Sequence, residues 1–486
     1  MKLNEHKWHV LGVGSICLAA CLLFMRAVDG QDEQSNTTEM VSRAFKPGKS
    51  IYSIYYQAKP VGDVRIERRR IEGGGFDYDV KTRFRFKAFG EDLGIRMALS
   101  AHFDDGFGLN SVTFSMSSGQ TTVQGTGAVK GDELTLIIQT GGSENRFTLP
   151  YDQDLIIGSV MGSRITAENL QPGDVRQFRL LDPLTQSVRK IKLRAIEYED
   201  VYVLDRKISA LKVEQETMGV VLTAWVREDG EVIRQDLGMG LTAQLEPEAT
   251  VTFNQSNQTD LVDLAEALLV PVTNMPKNYD QRPQIRYRLS QLNSTLRLTV
   301  ADHQTWKEDE LTITRTQVPA RVDFEISEHP LPSPDLLAQS AEGEIRSQAL
   351  SIVSDVRSAQ EVIRRILSWF KANIEQRPVA SLPAALETLR TRSGDCNEHA
   401  FLFAGLLRSI GIEAKVMTGI AYVARLRRFG YHAWNEVKIG EKWVVVDPTW
   451  QQFPADVTHI ALAQGGLQAQ STLWSLMGRL SVTVIE

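Results

Sequence analysis

The sequence of 486 residues has few cysteines and no excess of positive charge. Of its 3 cysteines, Cys17 and Cys21 lie in an N-terminal apolar stretch, and Cys396 is the only one in the rest of the chain. This scarcity excludes a disulfide framework and a zinc ribbon, because both need several cysteines. Lys and Arg total 54 against 60 Asp and Glu, a formal net charge of -6. Because nucleic-acid binding needs a basic surface, we expect no nucleic-acid partner.

The composition is that of a folded chain of several domains. With 42% hydrophobic and 23% charged residues, the chain has enough apolar material for buried cores and is not disordered. At about 150 residues per domain, the length corresponds to roughly three domains. The sequence shows no internal repeat and no low-complexity segment.

The N-terminus carries an apolar run without charge at residues 10–25, preceded by lysines and followed by Arg26. The run is short for a membrane-spanning helix and long for the core of a signal peptide. Three interpretations stay open: an uncleaved signal anchor, a cleaved signal peptide, and a bacterial lipoprotein leader ending at Cys21. We predict a signal segment over 1–30 and a polar tether over 31–46. Each interpretation predicts a location in the cell envelope, membrane-anchored, with the bulk of the chain periplasmic or extracellular.

Alternating apolar and charged residues predict β-strands after the tether. Between Phe76 and Phe86 aromatic side chains alternate with Asp, Lys and Arg, which is typical of strands with one buried and one wet face. Asp229-Gly230 between two apolar runs indicates a hairpin. We therefore predict an all-β antiparallel domain over 47–250, a curved sheet or barrel, and a second β-rich segment over 251–330.

A proline-rich stretch, His329 to Asp335, predicts the main domain boundary. After it the apolar spacing becomes helical, and Ser358 with Glu361 predicts a capping box at a helix start. The third predicted domain is 331–486, and we expect it to fold separately from the β-rich part.

The lone cysteine stands at a predicted helix start. Asp395 can cap this helix and Glu398 can reach back to it, which places Cys396 at the first helical position. The positive end of the helix dipole favours a thiolate there. The sequence therefore predicts an accessible, reactive thiol suited to attack on a carbonyl carbon.

Two β-rich runs downstream can supply a base for this thiol. Gly440-Glu441 joins them, and a two-residue turn at this point places Trp434 opposite Asp447. His432 lies two residues along on the same face, as a diagonal neighbour of Asp447. The carboxylate could then hold the imidazole towards Cys396, as in a Cys-His-Asp triad.

These motifs resemble the transglutaminase-like domain. The resemblance rests on the order and spacing of Arg392-x-Gly394-Asp395-Cys396, His432-Ala433-Trp434-x-Glu436-Val437 and Asp447-Pro448-Thr449, and it covers about 345–486. It implies a papain-like α+β fold in which the Cys helix packs on an antiparallel sheet. It also implies that Cys396 is the nucleophile, His432 the general base and acid, and Asp447 the orienting group. The reaction implied passes through a thioester and needs no metal or cofactor.

The function expected is a cysteine-dependent acyl-transfer enzyme acting on a protein or peptide substrate, as amidase, peptidase or transglutaminase. A rival interpretation is a non-catalytic binding or envelope-assembly module with a vestigial triad. A zinc site of Cys396, His399, His432 and Asp447 is a further alternative. Trp434 could line the acyl-substrate cleft or pack in the core. Glu436 is predicted to be a solvated sheet residue or a member of a local ion pair.

Overall fold

A computed structural model describes residues 45–485 apart from several gaps, the longest at 247–260, 291–300, 378–383 and 466–472. The described residues fall into two compact units, divided between Leu264 and Ala265. They are called the N-terminal unit and the C-terminal unit below. Within these ranges no helix combines the length and apolar character needed to cross a membrane. The apolar run at 10–25 lies outside the described residues.

The N-terminal unit is a single antiparallel sheet with one short parallel edge strand. Over its described residues the fifteen strands follow the order β8-β7-β6-β5-β4-β3-β2-β1-β15-β14-β13-β12-β11-β10-β9. The strands are β1 (Gly48–Tyr56), β2 (Lys59–Arg70), β3 (Phe76–Ala88), β4 (Glu91–Phe103), β5 (Leu109–Ser118), β6 (Thr121–Lys130), β7 (Glu133–Thr140), β8 (Ser143–Pro150), β9 (Leu155–Ile157), β10 (Val175–Asp182), β11 (Ser187–Val203), β12 (Arg206–Thr217), β13 (Val220–Val226), β14 (Val232–Gly238) and β15 (Leu241–Glu246).

The predicted alternation builds the core of this sheet. On β3 the aromatic side chains of Phe76, Tyr78, Phe84 and Phe86 are at most 3% exposed, while the charged residues between them face the other side. Strands β1 to β8 pair consecutively as antiparallel neighbours, as do β10 to β15, and the pairing of β1 with β15 joins these two runs into one sheet. The predicted antiparallel sheet and the hairpin at Asp229-Gly230 are confirmed.

The C-terminal unit combines helices with smaller sheets. Its helices are α1 (Gly343–Val353), α2 (Ala359–Asn373), α3 (Ala385–Thr391) and α4 (Cys396–Ser409). Its strands are β16 (Leu269–Val270), β17 (Val272–Thr273), β18 (Gln284–Ser290), β19 (Gln304–Lys307), β20 (Glu310–Thr314), β21 (Glu375–Gln376), β22 (Ser393–Gly394), β23 (Ala414–Val423), β24 (Arg428–Ile439), β25 (Lys442–Val446), β26 (Ile460–Gln464) and β27 (Ser481–Val484).

Helix α4 packs on the sheet β16-β24-β23-β26, in which β25 also pairs with β24. Asn435 on β24 ties the two layers together, because its Nδ2 donates to the carbonyl of Ala400 on α4 at 3.0 Å. A Cβ at Gly405 would lie 2.1 Å from the carbonyl oxygen of Ala338, so glycine is needed where that chain crosses the helix. Helix α4 therefore contacts both β24 and the chain at Ala338.

The division between the units differs from the predicted boundary at 329–335. Strand β18 pairs with β27, the last strand of the chain, and β17 pairs with β27 as well. The β-rich segment predicted at 251–330 therefore shares a sheet with the end of the region predicted at 331–486. Pairing between residues about 200 apart in sequence leaves no signal in the local sequence. The prolines at the predicted boundary are such a local signal, and the prediction followed them. Separate folding of the two parts stays a prediction.

Candidate active site

Cys396 is the first residue of α4, held by the predicted capping box. The Asp395 carboxylate accepts a hydrogen bond from the Asn397 amide at 2.8 Å, and Glu398 accepts one from the Asp395 amide at 3.0 Å. These bonds satisfy backbone donors that the first helical turn leaves unpaired. The predicted start of this helix is confirmed.

The Cys396 thiol is buried and neutral, in contrast to the accessible thiolate predicted from the sequence. The residue is 1% exposed. Burial raises the pKa of the thiol well above its usual value, and the charges of Asp395 and Glu398 raise it further. The backbone amide of Ala433 donates a hydrogen bond to the sulfur and opposes this shift. The prediction of an accessible thiolate was wrong because the chain packed around the start of α4 covers the sulfur, and burial disfavours the charged form of the thiol.

His432 and Asp447 are in direct contact. The Gly440-Glu441 turn pairs Ile439 with Lys442 as predicted, and the ladder continues to Asn435 opposite Val446. Beyond the end of this ladder, Nε2 of His432 lies 2.8 Å from Oδ2 of Asp447. Both side chains have 0% exposure, so water does not compete for this bond. The predicted neighbourhood of the two residues is observed, whereas their catalytic roles stay a proposal.

The Asp447 carboxylate is held at both oxygens. Oδ1 accepts hydrogen bonds from the backbone amides of Thr449 at 2.8 Å and Trp450 at 3.0 Å, the pattern of an Asx turn. Burial alone would raise the pKa of Asp447, but His432 and His459 together lower it well below its usual value. Asp447 is therefore an ionised, immobile acceptor.

His432 lies against the start of α4 and beneath an aromatic ring. The amide that bonds the Cys396 sulfur belongs to Ala433, the next residue along β24. The indole of Trp450 stacks on the His432 ring at 4.3 Å between centroids and 15° between planes. The other ring nitrogen of His432, Nδ1, is buried and has no hydrogen-bond partner among the described residues. It is thus the ring nitrogen available to the thiol or a substrate.

His459 is a residue of this site that no sequence pattern predicted. Its Nε2 lies 3.1 Å from Oδ2 of Asp447, so this oxygen contacts two imidazoles. His459 directly precedes β26, which pairs with β23 rather than with its sequence neighbours. At the crossing, a Cβ on Gly419 would lie 2.0 Å from the carbonyl oxygen of Ile460. No periodicity near His459 signals this contact, since strand order decides it. Trp450, by contrast, follows Asp447 by three residues and could have been considered.

Trp434 and Glu436 are more buried than predicted. Trp434 is 0% exposed and packs with Met417, Val445 and Ala461 in a core cluster. Of the two predicted positions, packing in the core is therefore the one observed. Glu436 is also buried, 3.3 Å from Nδ1 of His303 and 3.7 Å from Nζ of Lys415. The local ion pair is therefore observed, and the solvated position is not.

The described residues support a different metal-capable group from the predicted one. The ligand atoms of His432, Asp447 and His459 lie within 4.8 Å of one another. The Asp447 carboxylate already forms hydrogen bonds with both imidazoles, so we assign no metal here. His399, the fourth member of the predicted zinc site, is absent from this group. Its two ring nitrogens are buried without hydrogen-bond partners in the described part of the chain, and burial lowers its pKa to about 4.

Comparison with known protein families gives a match to the region that contains this site. The family model of the Transglutaminase-like superfamily matches residues 346–448, a range that contains the cysteine, histidine and aspartate of the site. Kyphoscoliosis peptidase of Mus musculus is 27% identical over 142 residues, which cover 25% of this chain and 21% of that protein. The chain thus spans about a fifth of the length of this relative.

Solved structures give weaker similarity. A β-barrel-like protein of unknown function from Brucella abortus has 12% identity and a TM-score of 0.33, covering 41% of this chain and 94% of that one. A candidate cysteine protease from Cytophaga hutchinsonii has 16% identity and a TM-score of 0.26, covering 41% and 83%. Since both scores are low, neither supports an argument about fold. The family match shows the superfamily of one region: the C-terminal unit contains a transglutaminase-like superfamily domain, at residues 346–448.

Proposed function

We propose that the C-terminal unit is a cysteine-dependent acyl-transfer enzyme with Cys396 as nucleophile, His432 as general base and acid, and Asp447 as orienting group. The observation that supports this best is the buried 2.8 Å contact between His432 and Asp447, next to the backbone amide that bonds the Cys396 sulfur. The superfamily match to this region supports a thiol enzyme. The name of the murine relative, a peptidase, supports amide bonds in proteins or peptides as the substrate.

The neutral thiol decides how the first step proceeds. Since the pKa of Cys396 is raised, the thiol is still protonated when substrate binds. Nδ1 of His432 instead removes the thiol proton as the sulfur attacks the carbonyl carbon, and Asp447 stabilises the imidazolium that forms. The C–N bond then breaks, and His432 gives its proton to the leaving amine. The thioester is resolved by water, which regenerates the thiol and releases the acid.

Hydrolysis is the proposed outcome, because the described residues show no dedicated site for an acceptor amine. With Cys396 only 1% exposed, substrate must open a path to the sulfur. The papain-like fold implied by the resemblance belongs to this proposal. So does a cell-envelope location, which rests on the apolar run at 10–25. A reporter fused after Glu486 that is active only in the cytoplasm would contradict that location.

The function is tested by trapping the acyl-enzyme. The purified chain is incubated with a glutamine-containing peptide, with and without a fluorescent amine, and intact mass is measured. We expect a thioester adduct on the wild type and none on Cys396→Ala. His432→Ala should lose almost all turnover, because the leaving amine then lacks a proton donor.

The control for this experiment is circular dichroism of each variant, which should match the wild type. Amine incorporation instead of free acid would establish transfer rather than hydrolysis. If Cys396→Ala keeps the biological activity of the chain, the catalytic proposal fails. The non-catalytic binding or assembly module, which the buried thiol favours, then takes its place.

A further inference from the structure

A second imidazole shares the carboxylate of the proposed triad. Nε2 of His459 and Nε2 of His432 both contact Oδ2 of Asp447, at 3.1 Å and 2.8 Å. The two rings lie 5.9 Å apart, and the side chain of His459 is 1% exposed. The proposed mechanism uses one of these histidines and leaves the other without a role.

His459 is held from its far side by a second carboxylate. Its Nδ1 lies 3.2 Å from the carbonyl oxygen and 3.4 Å from Oδ1 of Asp456. Asp456 is itself fixed, since Oδ1 accepts bonds from the amide and hydroxyl of Thr458, and Gln452 donates to Oδ2 at 3.1 Å. The imidazole is therefore fixed between two carboxylates, with one nitrogen on each.

This surrounding makes His459 a cation. Burial alone would lower its pKa, but the hydrogen bonds to Asp447 and Asp456 raise it to about 9. Both ring nitrogens then donate, so His459 cannot accept the proton of Cys396. The titratable groups facing it are Asp447, Asp456 and, across the shared carboxylate, His432.

We propose that His459 is a positioning residue of the acyl-transfer reaction. Its hydrogen bond holds the Asp447 carboxylate in place against His432. Its charge disfavours a second positive charge next to the same carboxylate. This inference rests on the proposed function. It predicts that removing the His459 charge changes the pH at which turnover is lost, because two cations on one carboxylate repel each other.

The test compares His459→Gln, which keeps a hydrogen-bond donor without charge, with His459→Phe, which keeps neither. Turnover of a peptide amide is measured against pH, together with the rate at which iodoacetamide alkylates Cys396. We expect His459→Phe to lose about tenfold to a hundredfold in kcat with KM little changed. The acid limb of both pH profiles should move up by about one pH unit in each variant. His459→Gln should recover part of kcat and keep the shift.

The matched control is His303→Gln. His303 is also a buried histidine beside a carboxylate, Glu436, but it does not touch Asp447. This variant should keep the wild-type profiles even if it lowers stability. The proposal is overturned if His303→Gln shifts the pH profiles as much as His459→Phe does. It is also overturned if His459→Phe has the wild-type kcat and pH profile. Should His459→Phe not fold, Asp456→Asn carries the test, since weakening the cation should shift the acid limb in the same direction.

The two proposals fail in different ways. If the wild type turns over no more substrate than Cys396→Ala, the proposed function fails. The alkylation profile does not need turnover, so it still shows whether His459 affects the reactivity of Cys396. If turnover depends on Cys396 but neither profile responds to His459, only the positioning role is lost.

Discussion

The two units of this protein each bury a carboxylate, but the hydrogen-bond partners of the two carboxylates differ. In the N-terminal unit, Asp63 is 0% exposed and accepts hydrogen bonds from Arg83 at 2.7 Å and Arg65 at 3.1 Å. In the C-terminal unit, the equally buried Asp447 is held by two imidazoles. A guanidinium keeps its proton at any physiological pH, whereas an imidazole exchanges one near neutrality. The first arrangement can stabilise a fold, and the second can also move a proton.

A second pairing in the sheet supports this distinction. Glu231 accepts hydrogen bonds from the Tyr52 hydroxyl at 2.5 Å and from Arg68 at 2.7 Å. Burial raises the pKa of Tyr52 well above its usual value, and the charge of Glu231 raises it further. The tyrosine therefore stays a neutral donor. Tyr52 and Arg68 both keep their protons near neutral pH, so the comparison predicts a purely structural cluster.

The largest expected contrast comes from one substitution made in both units. Asp447→Asn keeps the shape but loses the charge that stabilises the imidazolium, and it should lower kcat on the order of a hundredfold or more. Asp63→Asn should leave kcat unchanged and lower the free energy of unfolding by about 2 kcal/mol. Peptide turnover and urea unfolding of both variants check this. Equal loss of kcat in the two would end the distinction between the carboxylates.

Acid should weaken the C-terminal unit through His399, which the fold keeps neutral. Burial lowers its pKa to about 4, against about 6.5 when unfolded. Between these values the unfolded chain binds a proton and the folded chain does not, so stability falls as pH falls, by roughly 3 kcal/mol in total. His399→Phe should remove this component. Urea unfolding at pH 7 and pH 5 measures it, and an unchanged acid loss in the variant would refute the assignment.

A smaller effect should appear at the thiol. Asp395→Asn keeps a good N-cap residue but removes a charge that adds to the effect of burial in raising the pKa of Cys396, so alkylation at neutral pH should be about tenfold faster. Glu398→Gln should act in the same direction and less strongly. Iodoacetamide labelling of the folded chain gives both rates. Slower labelling of Asp395→Asn would show that the cap charge does not restrain the thiol.

The smallest effect expected is at a helix cap remote from the triad. The Ser358 side chain accepts a hydrogen bond from the Glu361 amide at 3.3 Å at the start of α2. Ser358→Ala should lower the free energy of unfolding by about 1 kcal/mol and leave peptide turnover unchanged. Urea unfolding and kcat together check this, and a turnover loss would show that α2 influences the site.

Local patterns predicted most of what lies within one element or one hairpin. The alternation of β3, the capping box of Asp395 and the Gly440-Glu441 turn are all observed, because each depends on residues within a short stretch. The register of the turn also predicted that His432 and Asp447 are neighbours, since the turn of a hairpin fixes which residues of its two strands lie opposite each other. The superfamily resemblance from the same motifs is confirmed for residues 346–448.

Tertiary structure alone decided the contacts between distant segments and the state of the groups inside them. The sequence by itself determined where Cys396 stands on its helix and which carboxylate faces His432. It did not determine that the thiol is buried and neutral, that His459 reaches the same carboxylate, or that β18 pairs with β27. The physical reason is that periodicity and turns act over a few residues, whereas burial and charge depend on every segment packed around a group.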